Sequence, residues 1–276
     1  MVAAINDRFV DVDFTKEAEF VAGDLGFRAM HNFASYNRVA QILTDEELEK
    51  EMERAEETGG LENLITVILN QMQEGSCVGN GFVGAYMTRW NAMFGKEYAL
   101  LMSANSLYKQ IGATASSGAM VNDGIDRLMD TGILPLDTPE NRKHFDNIVM
   151  PATGFRVPFP NDWKNTAKLF KGSSYYIVKS VNELLTALAR QQPVIVGREG
   201  HCIYYCRGMR KVIRGRSQRC ALYCNSWGKW GMGAGDFDYG FGIDTEAQIA
   251  KSARWAVVLT SVVRPSMLET WYQTAV

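Results

Sequence analysis

A helical front half followed by a sheet-forming back half, an α+β fold, is predicted by three features of the 276-residue chain. Before residue 193 apolar side chains recur at three- and four-residue spacing in several segments. After Pro193 the texture changes to short runs of β-branched and aromatic residues cut by glycine and polar turns. Between the two lies 150–171, an irregular crossing marked by Pro151, Pro158 and Pro160. A helical lobe beside a β lobe places the expected site in the cleft between them.

The first element is charged. In TDEELEKEMERAEETGG, Thr44 and Glu47 have the spacing of a capping box, and Gly59-Gly60 is the stop. Its apolar content is Leu48 and Met52 alone, which reads as a solvated surface helix, with a partner-binding segment as the alternative. Residues 1–60 are therefore taken as an extension, 61–165 as the helical lobe and 166–276 as the β lobe. Over 78–94 the residues Phe82, Val83, Tyr86, Met87, Trp90, Met93 and Phe94 mark a buried helix face, and Gly95 ends it. Further helices are expected at 104–111, 120–131 and 181–191, and strands in PVIVG, HCIYYC, ALYCNSW and ARWAVVLTSVV.

Composition narrows the function. With 29 basic and 31 acidic side chains the formal charge is -2, so the chain has no overall field for a polyanion, and nucleic acid is not an expected partner. The apolar run 255–263 is far short of the roughly 20 residues of a membrane span. Asp7, Asp11 and Asp13 stand where a secretory signal would be basic and then apolar, so cytoplasmic synthesis is expected. Five cysteines leave at least one thiol unbridged, which fits a reducing compartment.

Cys77 begins the long apolar helix. Unpaired N–H groups and the positive end of the helix dipole favour a thiolate there, the form that attacks carbon; the alternative is a small buried hydrophobe. Of three histidines, His31 and His144 sit in polar stretches, and only His201 opens an apolar strand run. Asn225, in Asn225-Ser226-Trp227-Gly228, supplies an amide that orients an imidazole. Cys, His and Asn then form a nucleophile, a base and an orienting group.

This set, in this chain order, resembles the papain-like cysteine peptidases. Gln71 lies six residues before Cys77, as the oxyanion-hole glutamine does in that family. Gly75-Ser76-Cys77 matches its approach to the nucleophile, and Val78-Gly79-Asn80 is similar to the bacterial and phage branch. Residues 101–108, then Ser117-Gly118-Ala119 and Asp123-Gly124-Ile125, resemble the second-helix region and the stretch lining the main side-chain pocket. Asn225-Ser226-Trp227-Gly228 with Trp230-Gly231 is close to the Asn-Ser-Trp-Gly motif. The resemblance covers roughly 64–263.

It implies the papain-like two-lobe fold, with Cys77 as nucleophile, His201 as base and then acid, Asn225 as the orienting group, and Gln71 with the Cys77 N–H as oxyanion hole. Gly75, Ser76, Ser117, Gly118, Ala119 and Trp227 would bind substrate; Trp227 either shields the His201–Asn225 contact from water or is a core residue. No cofactor or metal is implied. A peptide or protein substrate is expected, phage structural proteins among the candidates, in a host cytoplasm or virion if the chain is phage-encoded. Two other readings stay open: a virion or assembly component using the domain for contacts, and an amidase or acyltransferase with the same thioester chemistry. Only Gly197 to Gly200 separate PVIV from His201, where the family carries a longer excursion, so part of the primed-side cleft wall is expected to be missing.

Strand pairing adds an expectation independent of the family. If His201 directly opposes Asn225 in an antiparallel pair, Cys202 falls opposite Cys224 and Cys206 opposite Cys220, on the face away from the catalytic residues. Four residues of strand span about 13 Å, too far for one tetrahedral zinc to gather all four. Buried reduced thiols are the preferred reading, with cross-strand disulfides as the alternative.

Overall fold

The computed structural model describes residues 42–112, 118–263 and 265; the first 41 residues of the expected extension, with His31, and the pocket residue Ser117 lie outside the described residues. The front half holds α1 (Asp45–Thr58), α2 (Cys77–Phe94), α3 (Ala104–Tyr108), α4 (Val121–Asp130), α5 (Pro139–His144) and α6 (Trp163–Ala167). Then follow β1 (Gly172–Ile177), α7 (Val181–Ala189), β2 (Val194–Arg198), β3 (His201–Ile213), β4 (Arg216–Cys224), β5 (Met232–Ala234), β6 (Phe237–Thr245), α8 (Glu246–Ser252) and β7 (Ala253–Val262). The strands form one antiparallel sheet in the order β1-β7-β2-β3-β4-β6-β5. The predicted helices and strands are present. Missing from the sequence reading are β1, β5 and β6, whose serines and glycines hide the strand pattern, and the short helices α5, α6 and α8. Gly242 of β6 is one cause: a Cβ there would stand 2.3 Å from the Tyr223 ring, so the strand gives up a side chain to seat a tyrosine.

α2 is the pillar of the molecule. It is apolar nearly all round and buried from Val78 to Thr88 and again at Trp90 and Asn91, packed between α3 and α4 on one side and β2, β3 and β7 on the other. Close approach explains its glycines. A Cβ on Gly79 would lie 2.7 Å from the Ala104 carbonyl oxygen of α3, and one on Gly84 would lie 2.7 Å from the Tyr204 ring of β3. Each glycine costs about 1 kcal/mol of helix propensity. In return the N-terminal part of α2 is brought against the start of β3, Gly81 over Cys202, and Cys77 and His201 come to line one cavity.

The β3–β4 register differs from expectation. Tyr204 pairs with Cys224 and Tyr205 with Tyr223; the ladder then bulges at Cys206 and resumes with Arg207 opposite Leu222 and Met209 opposite Cys220. Neither expected cysteine pair is directly opposed. The reason is that β4 ends at Cys224: the Asn225 N–H leaves the ladder and donates to the Gly240 carbonyl at 2.9 Å, so His201 and Asn225 meet through side chains, not as backbone partners. Cys202, Cys206, Cys220 and Cys224 are buried, and all five cysteines are free.

α1 is also more than a solvated helix. Its capping box forms as predicted, but Leu48 and Met52 are buried against the back half. Arg210 of β3 grips Glu49 with two guanidinium nitrogens, one at 2.6 Å, and Arg219 of β4 bonds Asp45 at 2.8 Å. The Leu43 N–H donates to Thr186 of α7 at 3.1 Å. Residues 43–58 thus belong to the packed body, not to an appended arm. Periodicity counts only apolar residues, so it did not reveal the carboxylate–guanidinium pairs that dock this helix on the sheet.

Candidate active site

Seven residues, Gln71 to Cys77, lead into α2. The turn closes on itself through Glu74 N–H to the Gln71 carbonyl, 3.1 Å, and Gln71 Nε2 to the Glu74 carbonyl, 2.9 Å. Ser76 is buried at the helix start, its carbonyl and hydroxyl accepting from Asn80 Nδ2 at 2.9 and 3.1 Å. Cys77, partly exposed, is the first residue of α2.

The other half of the site comes from β3 and the end of β4. His201 Nε2 lies 2.7 Å from Asn225 Oδ1, and the same oxygen accepts the Ser226 N–H at 2.8 Å. A backbone donor on that atom fixes it as the carbonyl oxygen, so Nε2 must carry the proton. Nδ1 is then the basic nitrogen. Trp227, 45% exposed, stacks on the imidazole with centroids 4.6 Å apart, and Trp230 packs edge-on against Trp227 at 5.3 Å. Trp227 is therefore a cover over the histidine and not a core residue.

The lobes are stitched beside this pair. Gln71 N–H donates to the Ser226 carbonyl at 2.8 Å, Ser226 Oγ donates to Gln71 Oε1 at 2.7 Å, and Asn70 bridges Trp227. Cys77 and His201 are walls of one cavity of about 740 Å³, whose sides are formed by Gly118, Ala119, Met120 and Val121 and whose far wall includes Trp255. Of the expected substrate residues, Gly118 and Ala119 line this cavity, while Gly75 and Ser76 shape the approach to Cys77. A Cβ on Gly197 of β2 would stand 2.6 Å from Val121, so the absence of a side chain there lets the α4 end of the cavity close on the sheet.

Burial dominates the electrostatics. It pushes the Cys77 thiol up, opposed by the N–H groups of Cys202, Val78 and Cys77 itself. It holds the His201 imidazole below its ordinary value, against the Asn225 bond and with the Arg198 charge acting in the same sense as burial. The thiolate favoured by the helix terminus is thus opposed by desolvation, and both shifts favour the uncharged forms of Cys77 and His201.

Arg198 was not anticipated. It lines the cavity and bonds Tyr205 Oη at 2.5 Å and the Asp244 carboxylate, with its guanidinium carbon 4.7 Å from the Tyr223 ring centre. The available signal was a lone arginine closing PVIVG and Asp244 at the end of the Phe241–Ile243 stretch. Among the described residues no cluster of histidine, cysteine or carboxylate could hold a metal ion, and no helix is long and apolar enough to cross a membrane.

No family model and no curated protein matches the sequence. Solved structures do. Procathepsin L2 from the larval midgut of Tenebrio molitor superposes with a TM-score of 0.56 at 18% identity, over 72% of this chain and 65% of that one. Procathepsin L 3 from the same source gives 0.50 at 16%, over 71% and 66%, and the proform of the ragweed pollen allergen Amb a 11, a cysteine protease, gives 0.50 at 15%, over 74% and 64%. The chain spans about two thirds of the length of these proteins. At such identities the likeness is one of fold.

Proposed function

We propose that this chain, whose fold is that of the papain-like cysteine peptidases, is a thiol peptidase that cleaves peptide bonds through a Cys77 thioester. The observation carrying this reading is one cavity walled by both Cys77 and His201, with the His201 tautomer fixed by Asn225 so that Nδ1 is the free base.

The chemistry follows from the neutral pair. As a peptide carbonyl approaches, the Cys77 thiol proton passes to His201 Nδ1 while sulfur bonds to the carbonyl carbon. Charge on the carbonyl oxygen is met by the Cys77 N–H and by the Gln71 amide proton left over from the bond to Glu74. The C–N bond breaks as imidazolium protonates the departing amine, leaving the thioester. Water then gives a proton to Nδ1 and its oxygen to the acyl carbon; the C–S bond breaks, and sulfur takes the proton back. Asn225 Oδ1 holds the Nε2 proton throughout, and the Trp227 indole keeps water off that contact.

The substrate is a peptide segment bearing a side chain for the cavity beside Cys77, within proteins of the cytoplasm where the chain is made, phage assembly proteins included if the source is a phage. A peptidyl vinyl sulfone tests the reading: adduct at Cys77 in the intact chain, lost in His201→Ala, supports it, and adduct formation independent of His201 defeats it. Adding a primary amine and analysing products by mass separates hydrolysis, expected here, from acyl transfer.

A further inference from the structure

Glu74 stands between the oxyanion donor and the nucleophile, yet its carboxylate points to neither. Oε1 accepts two backbone N–H groups from the crossing segment, Gly154 at 2.8 Å and Phe155 at 3.2 Å. Oε2 is buried without a hydrogen-bond partner, so the side chain is committed to this one anchorage.

The anchor itself is firm. Ser103 Oγ donates to the Pro151 carbonyl at 2.7 Å, Asn105 Nδ2 to the Gly154 carbonyl at 3.2 Å, and Lys109 Nζ to the Phe155 carbonyl at 2.5 Å. The Phe155 ring packs edge-on against Tyr108 at 5.7 Å. Residues 151–155 are thereby locked to α3 and the turn that follows it. Through Glu74 the 71–77 turn shares that rigidity, although Met72 within it holds a strained φ of 54°.

The consequence falls on Gln71. Its Oε1 is fixed by Ser226 at 2.7 Å, and one Nε2 proton is spent on the Glu74 carbonyl at 2.9 Å. The direction of the remaining proton is then set by where the Glu74 backbone lies. We propose that Glu74 is a positioning residue: its carboxylate staples the 71–77 turn to Gly154 and Phe155 and so aims the free Gln71 N–H at the developing oxyanion. This rests on the peptidase reading of the site.

Two reactions of the same sulfur separate aiming from mere support. Alkylation by iodoacetamide displaces iodide at a saturated carbon and develops no oxyanion, whereas amide hydrolysis does. The full chain, Glu74→Ala and Glu74→Gln are compared in iodoacetamide labelling of Cys77 and in kcat and KM for an N-blocked dipeptidyl aminomethylcoumarin amide. Losing an oxyanion donor outright lowers kcat by about 10²–10³; for a mis-aimed donor in Glu74→Ala the expected loss is about 10–10² in kcat, with KM and the alkylation rate little changed. Glu74→Gln, which keeps an acceptor oxygen without the charge, recovers most of the loss. Glu74→Asp, one methylene short of the two N–H groups, replaces the alanine variant if that chain fails to fold. Equal losses in alkylation and hydrolysis, or unchanged kcat, overturn the assignment while leaving the peptidase reading intact. A wild-type chain that alkylates but does not hydrolyse overturns both.

Discussion

The Trp227 indole lies over the His201 imidazole, ring centres 4.6 Å apart and planes 25° from parallel. The stack covers a 2.7 Å hydrogen bond that competes poorly with water once exposed. Trp227→Ala is expected to lower kcat by on the order of tenfold, about 1.4 kcal/mol of barrier, with its partly exposed position leaving the thermal midpoint little changed. Steady-state kinetics beside a melting curve checks it, and an equal fall in both would assign Trp227 to stability.

The pH profile has a defined sign. Turnover needs one proton shared between Cys77 and His201, so it falls when the imidazole gains a second and when the thiol loses the only one. Burial lowers His201 and raises Cys77, which places the acidic limb of kcat/KM below the ordinary histidine value of 6.5 and the alkaline limb above the ordinary thiol value of 9.0. Arg198→Gln, removing a charge that depresses His201, should move the acidic limb up; Asn225→Ala, removing a bond that supports the imidazolium, should move it down. Limbs that stay in place in both variants would contradict this assignment of causes.

Thiol counting reports on the buried cysteines. Cys77 is partly exposed and the other four are buried and unbridged, so one thiol should react with a disulfide reagent in the native chain and five after denaturation. A count of one in denaturant would mean two disulfides instead.

Gly79→Ala tests the helix packing that delivers the nucleophile. Alanine gains about 1 kcal/mol of helix propensity, but its Cβ would meet the Ala104 carbonyl at 2.7 Å, a backbone atom that cannot swing aside. Overpacking of this kind costs about 1–3 kcal/mol. The denaturation midpoint should fall at unchanged m, with slower Cys77 alkylation as α2 shifts.

Much of this was legible in the residues. α2 declared itself through its apolar period and its closing Gly95, and the residues that meet at the cleft, Cys77, His201 and Asn225, stood out because a thiol, an imidazole and an amide each sat at the edge of an apolar run. What was hidden depends on pairings that no local pattern encodes. Arg198 and Asp244 are 46 positions apart and meet because β2 and β6 lie in one sheet with β3 and β4 between them. The β3–β4 register already stands two residues from the expected one at Tyr204–Cys224, and the bulge at Cys206 shifts it once more, neither of which alternation alone encodes. Glu74 owes its anchorage to two N–H groups of a segment 80 positions away.

The Leu43–Thr186, Asp45–Arg219 and Glu49–Arg210 bonds set a boundary for any cut in the chain. Any cut compatible with this fold falls upstream of Leu43, since one inside the first helix would uncover Leu185 and Gly208, take from Arg210 its Glu49 partner and leave Arg219 with Glu246 alone of its two carboxylates. Whatever becomes of the residues upstream, the acidic helix is a sealed seam of the folded body.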